Sequence, residues 1–177
     1  MIRRDVLKLG GAATIGLALP SSYASAQAKS HTPCVVVDPR FTASLTLADV
    51  ALTAGALVLH SNGDLASLWH GDLRGAPPGG LLGLTGYADM VMAAGIAAEN
   101  RRSFRFCMSH QGARGEPDHR LSIGSPTQIA VLDAAGGQWP LALWSMMATG
   151  SSNPTDSLRY KLKVRARSGT LWSWAIA

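Results

Sequence analysis

Charge and aromatic residues are scarce in this chain: 15% of its 177 residues are Asp, Glu, Lys or Arg, and 6% are Phe, Trp or Tyr. No apolar run reaches the roughly 20 residues that a bilayer span needs. The G-x-S-x-G elbow is absent, which disfavours a familiar α/β-hydrolase. So are G-x-G-x-x-G and G-x-x-x-x-G-K-[ST]. The nearest approach, Gly79-Gly80-Leu81-Leu82-Gly83-Leu84-Thr85, has no lysine and runs into a strand, so nucleotide binding has little support. No internal repeat is visible. With only Cys34 and Cys107, a disulfide is permitted but not implied.

What is present begins at the N-terminus, MIRRDVLKLGGAATIGLALP. Arg3, Arg4 and Lys8 form a positive head, Leu9 to Leu19 an apolar stretch broken by Gly10, Gly11 and Gly16, and Tyr23-Ala24-Ser25-Ala26-Gln27-Ala28 offers small-residue cleavage sites. This is the layout of an export signal over residues 1–28, leaving residues 29–177 as the mature domain. The order Arg3-Arg4-Asp5-Val6-Leu7-Lys8 resembles the bacterial twin-arginine signal. That resemblance implies passage through the twin-arginine translocase into the periplasm as an already folded protein. The route often serves proteins that load a cofactor or a co-exported protein partner first. No membrane span is expected to remain after cleavage.

About 150 residues then fold, one domain's worth. The signal carries Arg3, Arg4 and Lys8 against Asp5, two of the net +5 charges, which leaves the mature part at +3. Most of its excess sits in Arg159, Lys161, Lys163, Arg165 and Arg167. The pI near 9.7 is therefore no sign of a nucleic-acid surface.

Along the mature chain, apolar runs at Cys34–Asp38, Ala56–His60, Leu81–Leu84 and Ser103–Met108 read as strands. Between them, Leu45–Gly55, Leu65–Leu73 and Tyr87–Asn100 carry helical spacing, with Thr46 or Ser44 capping the first and Thr85 the third. Asp118–Ile123 reads as a strand fragment and Gln128–Asp133 as another strand, while Trp139–Met147 is apolar enough for either strand or helix. The alternation predicts an α/β fold: a single three-layer domain with a mainly parallel sheet flanked by helices. At the end, Leu158 to Arg167 alternates apolar and basic residues, and Thr170–Ile176 is expected to return as its partner in a C-terminal antiparallel hairpin. The five cations then mark either a guarded edge or a surface for an anionic partner. Nucleic acid is not expected, because the periplasm lacks it and no aromatics interleave the cations on that face.

In an open parallel sheet the ligand site lies at the carboxyl ends of the strands. Those tips present Asp38 and Arg40, Asn62 and Asp64, Thr85 and Tyr87, and Ser109 and His110. A nucleophile there would be Ser109 or Thr85, with His110 or His60 as base and Asp38 or Asp64 to orient it. Turn-forming and helix-capping duties explain Asp38, Asp64 and Thr85 equally. The pairs His31/Cys34 and Cys107/His110 have metal-ligand character, but parallel strands would set Cys34 and Cys107 at opposite ends, against both a metal and a bridge. No cofactor or metal is expected. His70 and His119 have no visible partner, so a structural role is the expectation for both.

Asp38-Pro39-Arg40-Phe41, Gly63-Asp64 with Leu68-Trp69, Gly83-Leu84-Thr85 and Trp172 to Ala177 resemble small twin-arginine-exported proteobacterial proteins of α/β type. The resemblance implies one exported domain and transfers no mechanism. The functional expectation is a periplasmic accessory or binding protein, with a small enzyme, a hydrolase working at the strand tips, as the alternative.

Overall fold

A computed structural model of the chain describes residues 33–73, 80–112, 117–148 and 169–177. Arg3, Arg4 and Lys8, expected to belong to an export signal, and the cationic run from Arg159 to Arg167 lie outside them. In chain order the elements are β1 (Cys34–Val37), α1 (Thr42–Thr53), β2 (Leu57–His60), α2 (Leu65–His70), β3 (Leu81–Gly86), α3 (Tyr87–Glu99), β4 (Phe104–Gln111), β5 (Asp118–Ile123), α4 (Pro126–Ala135), α5 (Trp139–Ala148) and β6 (Leu171–Ile176).

The strands form one sheet in the order β2-β1-β3-β6-β4-β5. β2, β1 and β3 run parallel. β6 is antiparallel to both β3 and β4, and β5 is antiparallel to β4. The sheet is therefore mixed, not mainly parallel. It has two causes: β6 enters antiparallel between β3 and β4, and residues 112–117 join β4 to β5 by too short a path for a parallel crossover, which needs about a dozen residues. Of the expected C-terminal hairpin, the Leu158–Arg167 arm lies outside the described residues; the other arm is β6, which pairs with β3 and β4 along Leu171–Ile176.

β1 is buried at every residue, as a continuous Cys-Val-Val-Val run in a sheet covered on both faces should be. Val35, Val37, Leu84, Phe106, Met108 and Leu171 turn to one face, where Leu47, Leu132, Leu143 and Trp139 from α1, α4 and α5 close over them. Cys34, Val36, Cys107, Trp172 and Trp174 turn to the other, under Leu65, Met90 and Ile96 of α2 and α3. Successive residues of β1, β4 and β6 thus fall on opposite faces.

Gln128–Asp133 is helix, not strand. Ser125 receives the Thr127 N–H, the Gln128 side chain receives the Ser125 N–H at 2.8 Å, and Pro126 occupies the first turn, a capping box that starts α4. Trp139–Ala148 is helical too. α1 begins at Thr42, earlier than expected. Ser44 is not its cap but a buried residue whose hydroxyl donates to the Leu84 carbonyl at 2.8 Å, tying α1 to β3. Among the described residues no helix is long and apolar enough to cross a membrane.

Because β4 and β3 are both antiparallel to β6, β1, β2, β3 and β4 all end at the same edge of the sheet. That edge collects Asp38 and Arg40, Ser61 to Asp64, Gly86 and the end of β4.

Candidate functional site

Asp38 follows β1 and is fully buried. Arg40 grips it side-on: Nε donates to Oδ1 at 2.9 Å and Nη2 to Oδ2 at 2.6 Å, and the Arg40 N–H adds a bond of 3.1 Å to Oδ1. Burial pushes the Asp38 carboxyl up, but the hydrogen bonds and charge of Arg40 and the Gly86 amide outweigh it and hold the group below the ordinary carboxylate value. The Arg40 side chain itself is 61% exposed, so one edge of its guanidinium faces solvent. Gly63, with φ +84°, lies against the guanidinium so closely that a Cβ there would collide with it. Asp89, fully enclosed behind this group, receives the Ser61 hydroxyl at 2.6 Å and the Leu65 N–H at 3.1 Å, fixing the turn between β2 and α2.

Farther along the edge, three adjacent strands carry a second group. His110 on β4 places Nδ1 2.7 Å from Nδ1 of His119 on β5, and Nε2 2.7 Å from the Ser173 hydroxyl on β6. Trp139 at the start of α5 stacks on His110 at 4.4 Å and meets the His119 ring at 5.3 Å. All three polar residues are buried. Burial drives the His110 pKa well below the ordinary 6.5, with the charge of His119 adding to the effect. Burial lowers His119 as well, against the opposing pull of Asp133 and Asp118. The pair is neutral at neutral pH. Two nitrogens 2.7 Å apart share one proton, so one ring donates to the other. Either His110 donates to His119 and accepts from Ser173, or His119 donates to His110 and His110 donates to Ser173.

Between these groups lies a crevice of about 610 Å³, lined by Arg40, Phe41 and Thr42 on one side, Thr46 of α1, and His110 and Trp139. Arg40 is the sole ionised side chain among its described lining residues. The chain matches no family model, no curated protein and no solved structure.

Of the residues expected to form a site, His110 lines the crevice and Asp38 holds Arg40 at it, and the others have different duties. Asp64 caps α2 by receiving the Ser67 N–H and hydroxyl, bonds that lower its pKa. Thr85 is buried, its hydroxyl receiving the Trp174 indole N–H at 3.0 Å instead of capping α3. Ser109 and His110 are consecutive residues of one strand, and Ser109 falls on the Cys107 face, away from the imidazole. The pair therefore does not work as nucleophile and base. His60 ends β2, four strands from β5.

Arg40 is among the expected strand-tip residues, whereas His119, Ser173 and Trp139 carry no site signal of their own in the sequence. One signal was available for His119: a hairpin folded about residues 112–117 pairs it with His110 directly. The partnership of Ser173 had none, since β6 enters between β3 and β4 from distant sequence. Ser173, His110 and His119 have the bonding of a nucleophile, base and orienting group. Ser173, however, is fully buried in the middle of the sheet, where no substrate carbonyl reaches it.

Cys34 and Cys107 are free buried thiols. Two strands separate β1 from β4, about 14 Å at ordinary strand spacing, twice the reach of a disulfide. Burial pushes Cys34 up to about 11 and Cys107 to about 12, so neither is a ready nucleophile or metal ligand.

Proposed function

We propose that this chain is an exported periplasmic binding protein, carried folded by the twin-arginine system, whose ligand is a small molecule seated in the crevice between Arg40 and His110. The observation that carries the reading is the crevice itself: about 610 Å³ at the carboxyl ends of the strands, with one cation at its rim and a buried aromatic and imidazole floor. Its volume falls in the usual range for small-molecule sites. Binding is favoured over hydrolysis because the two hydroxyls expected to react are committed elsewhere, Thr85 holding Trp174 and Ser109 facing the far side, and because Ser173, beside His110, is sealed.

Two experiments test this. Changing Arg3 and Arg4 together to Lys should trap precursor inside the cell, and normal export of that variant would refute the route. For the ligand, the protein released gently from the periplasm should carry extra native mass. Thr46→Trp, which fills the crevice from α1, should remove it. An unaltered mass excess in the filled variant, or none in the parent, sinks the crevice reading. If a co-exported polypeptide accounts for the mass instead, the arginines serve an assembly and the chain is an accessory subunit.

A further inference from the structure

A guanidinium has two edges that each match a carboxylate fork, one formed by Nε and Nη2 and one by Nη1 and Nη2. In Arg40 the first edge belongs to Asp38. The second has no protein acceptor among the described residues, and the Arg40 side chain, 61% exposed, lines the crevice. Gly63 against the group and Asp38 at its side hold this edge in place before any ligand arrives, so little rotamer freedom is lost on binding. Asp38 also cancels the Arg40 charge, and Asp89 adds a further acid nearby. An entering anion therefore brings uncompensated negative charge into a crevice whose described lining has no second cation. The groups able to supply one are the two imidazoles beneath it.

Their bonding permits one added proton and resists a second. A proton placed on His119 Nε2, which no described residue engages, makes that ring a cation donating through Nδ1 to His110 Nδ1, while His110 Nε2 donates to Ser173. Every hydrogen bond is kept. A second proton would set two N–H groups against each other across 2.7 Å. The charges of Asp133 and Asp118 draw the first proton toward His119 against the burial that lowers its pKa, Arg120 of β5 is paired with Asp118, and Trp139 offers both rings its aromatic surface.

We infer that the crevice binds an organic carboxylate on the free edge of Arg40, and that the His110–His119 pair takes up one proton from solvent as the anion enters. The inference rests on the ligand-binding reading above and names its ligand class and its pH control. Binding then strengthens as the medium acidifies, until the empty pair is itself protonated.

The test is titration calorimetry of the mature protein with benzoate near pH 6, in two buffers of different ionisation enthalpy. The slope of the observed heat against that enthalpy counts protons. Uptake approaching one proton per benzoate is expected. Arg40→Lys keeps a cation for Asp38 but loses the second fork, and should bind about tenfold more weakly or worse. His119→Gln should still bind, without proton uptake. Equal heats in both buffers for the parent protein overturn the coupling. Failure of both benzoate and acetate to bind at millimolar concentration, while a neutral molecule co-purifies and is lost from Thr46→Trp, overturns the carboxylate assignment and spares the ligand-site reading. A co-purifying mass that Thr46→Trp leaves unchanged overturns both.

Discussion

Acid acts on this fold first through His110. In the native chain, burial and then His119 hold its pKa well below the ordinary value of 6.5, whereas an unfolded histidine titrates near that value. Between the two, the unfolded chain binds a proton that the native chain refuses. The stability attached to the neutral imidazole is present in full above pH 6.5 and is lost as pH falls toward the folded value. For one such group the slope approaches ~1.4 kcal/mol per pH unit. His119, lowered in the same direction, steepens it. Against a total of about 5–15 kcal/mol for a domain, that is a large fraction. Asp38 acts in a separate window: its contribution persists above the ordinary 3.8 and disappears only as pH falls through its lowered folded value. Urea melts at several values from neutral to about pH 5.5, followed by tryptophan fluorescence, should show the midpoint falling at constant m. In His110→Gln the slope should lose about one proton's worth, ~1.4 kcal/mol per unit. A parent midpoint that stays flat across that interval would refute the burial argument.

Other outcomes follow from single contacts. A methyl at Gly83 would overlap the Trp174 indole on the neighbouring strand, so Gly83→Ala should cost about 2–4 kcal/mol by overpacking and by loosening the Trp174–Thr85 bond. Gly95 in α3 is exposed with nothing near its missing Cβ, and Gly95→Ala should instead gain roughly 0.5–1 kcal/mol in the same urea melts. Gly63→Ala, at φ +84° and against Arg40, should cost about 1–2 kcal/mol from the backbone alone and weaken benzoate binding by displacing the guanidinium. Both thiols should ignore a disulfide reagent in native buffer and react once the chain is unfolded, as their burial and raised pKa values require.

The first half of the fold was legible because its signals are local. Cys34 to Val37 is a continuous β-branched run, and Asp64 before Leu65 is a helix cap by residue type alone. In the second half the decisive facts are long-range. Apolar periodicity suggested a strand at Gln128–Asp133, although Ser125-Pro126-Thr127-Gln128 already spelled a helix start; the cap outweighed the periodicity. Nothing near residues 171–176 announces that they lie between β3 and β4, about 85 and 65 residues earlier, and this insertion makes the sheet mixed. The same distance hid the site. Asp38 and His110 stood out as polar residues at strand ends, but Ser173 joins His110 only once β6 is placed, and His119 only once the β4–β5 register is known.

The placement of β6 bears on how the protein is made. It is the most C-terminal of the described strands, yet it occupies the fourth position of six. Until it leaves the ribosome, β3 and β4 each present a bare edge, Trp172 and Trp174 are missing from the core, and His110 lacks Ser173. The nascent polypeptide can therefore build a three-stranded piece and a hairpin, but its sheet becomes continuous only after translation has passed residue 176. On the proposed twin-arginine route, a translocase that accepts only finished folds would in effect be reading whether synthesis reached that strand, and prematurely terminated chains would stay in the cytoplasm with two open edges for proteases and chaperones to find.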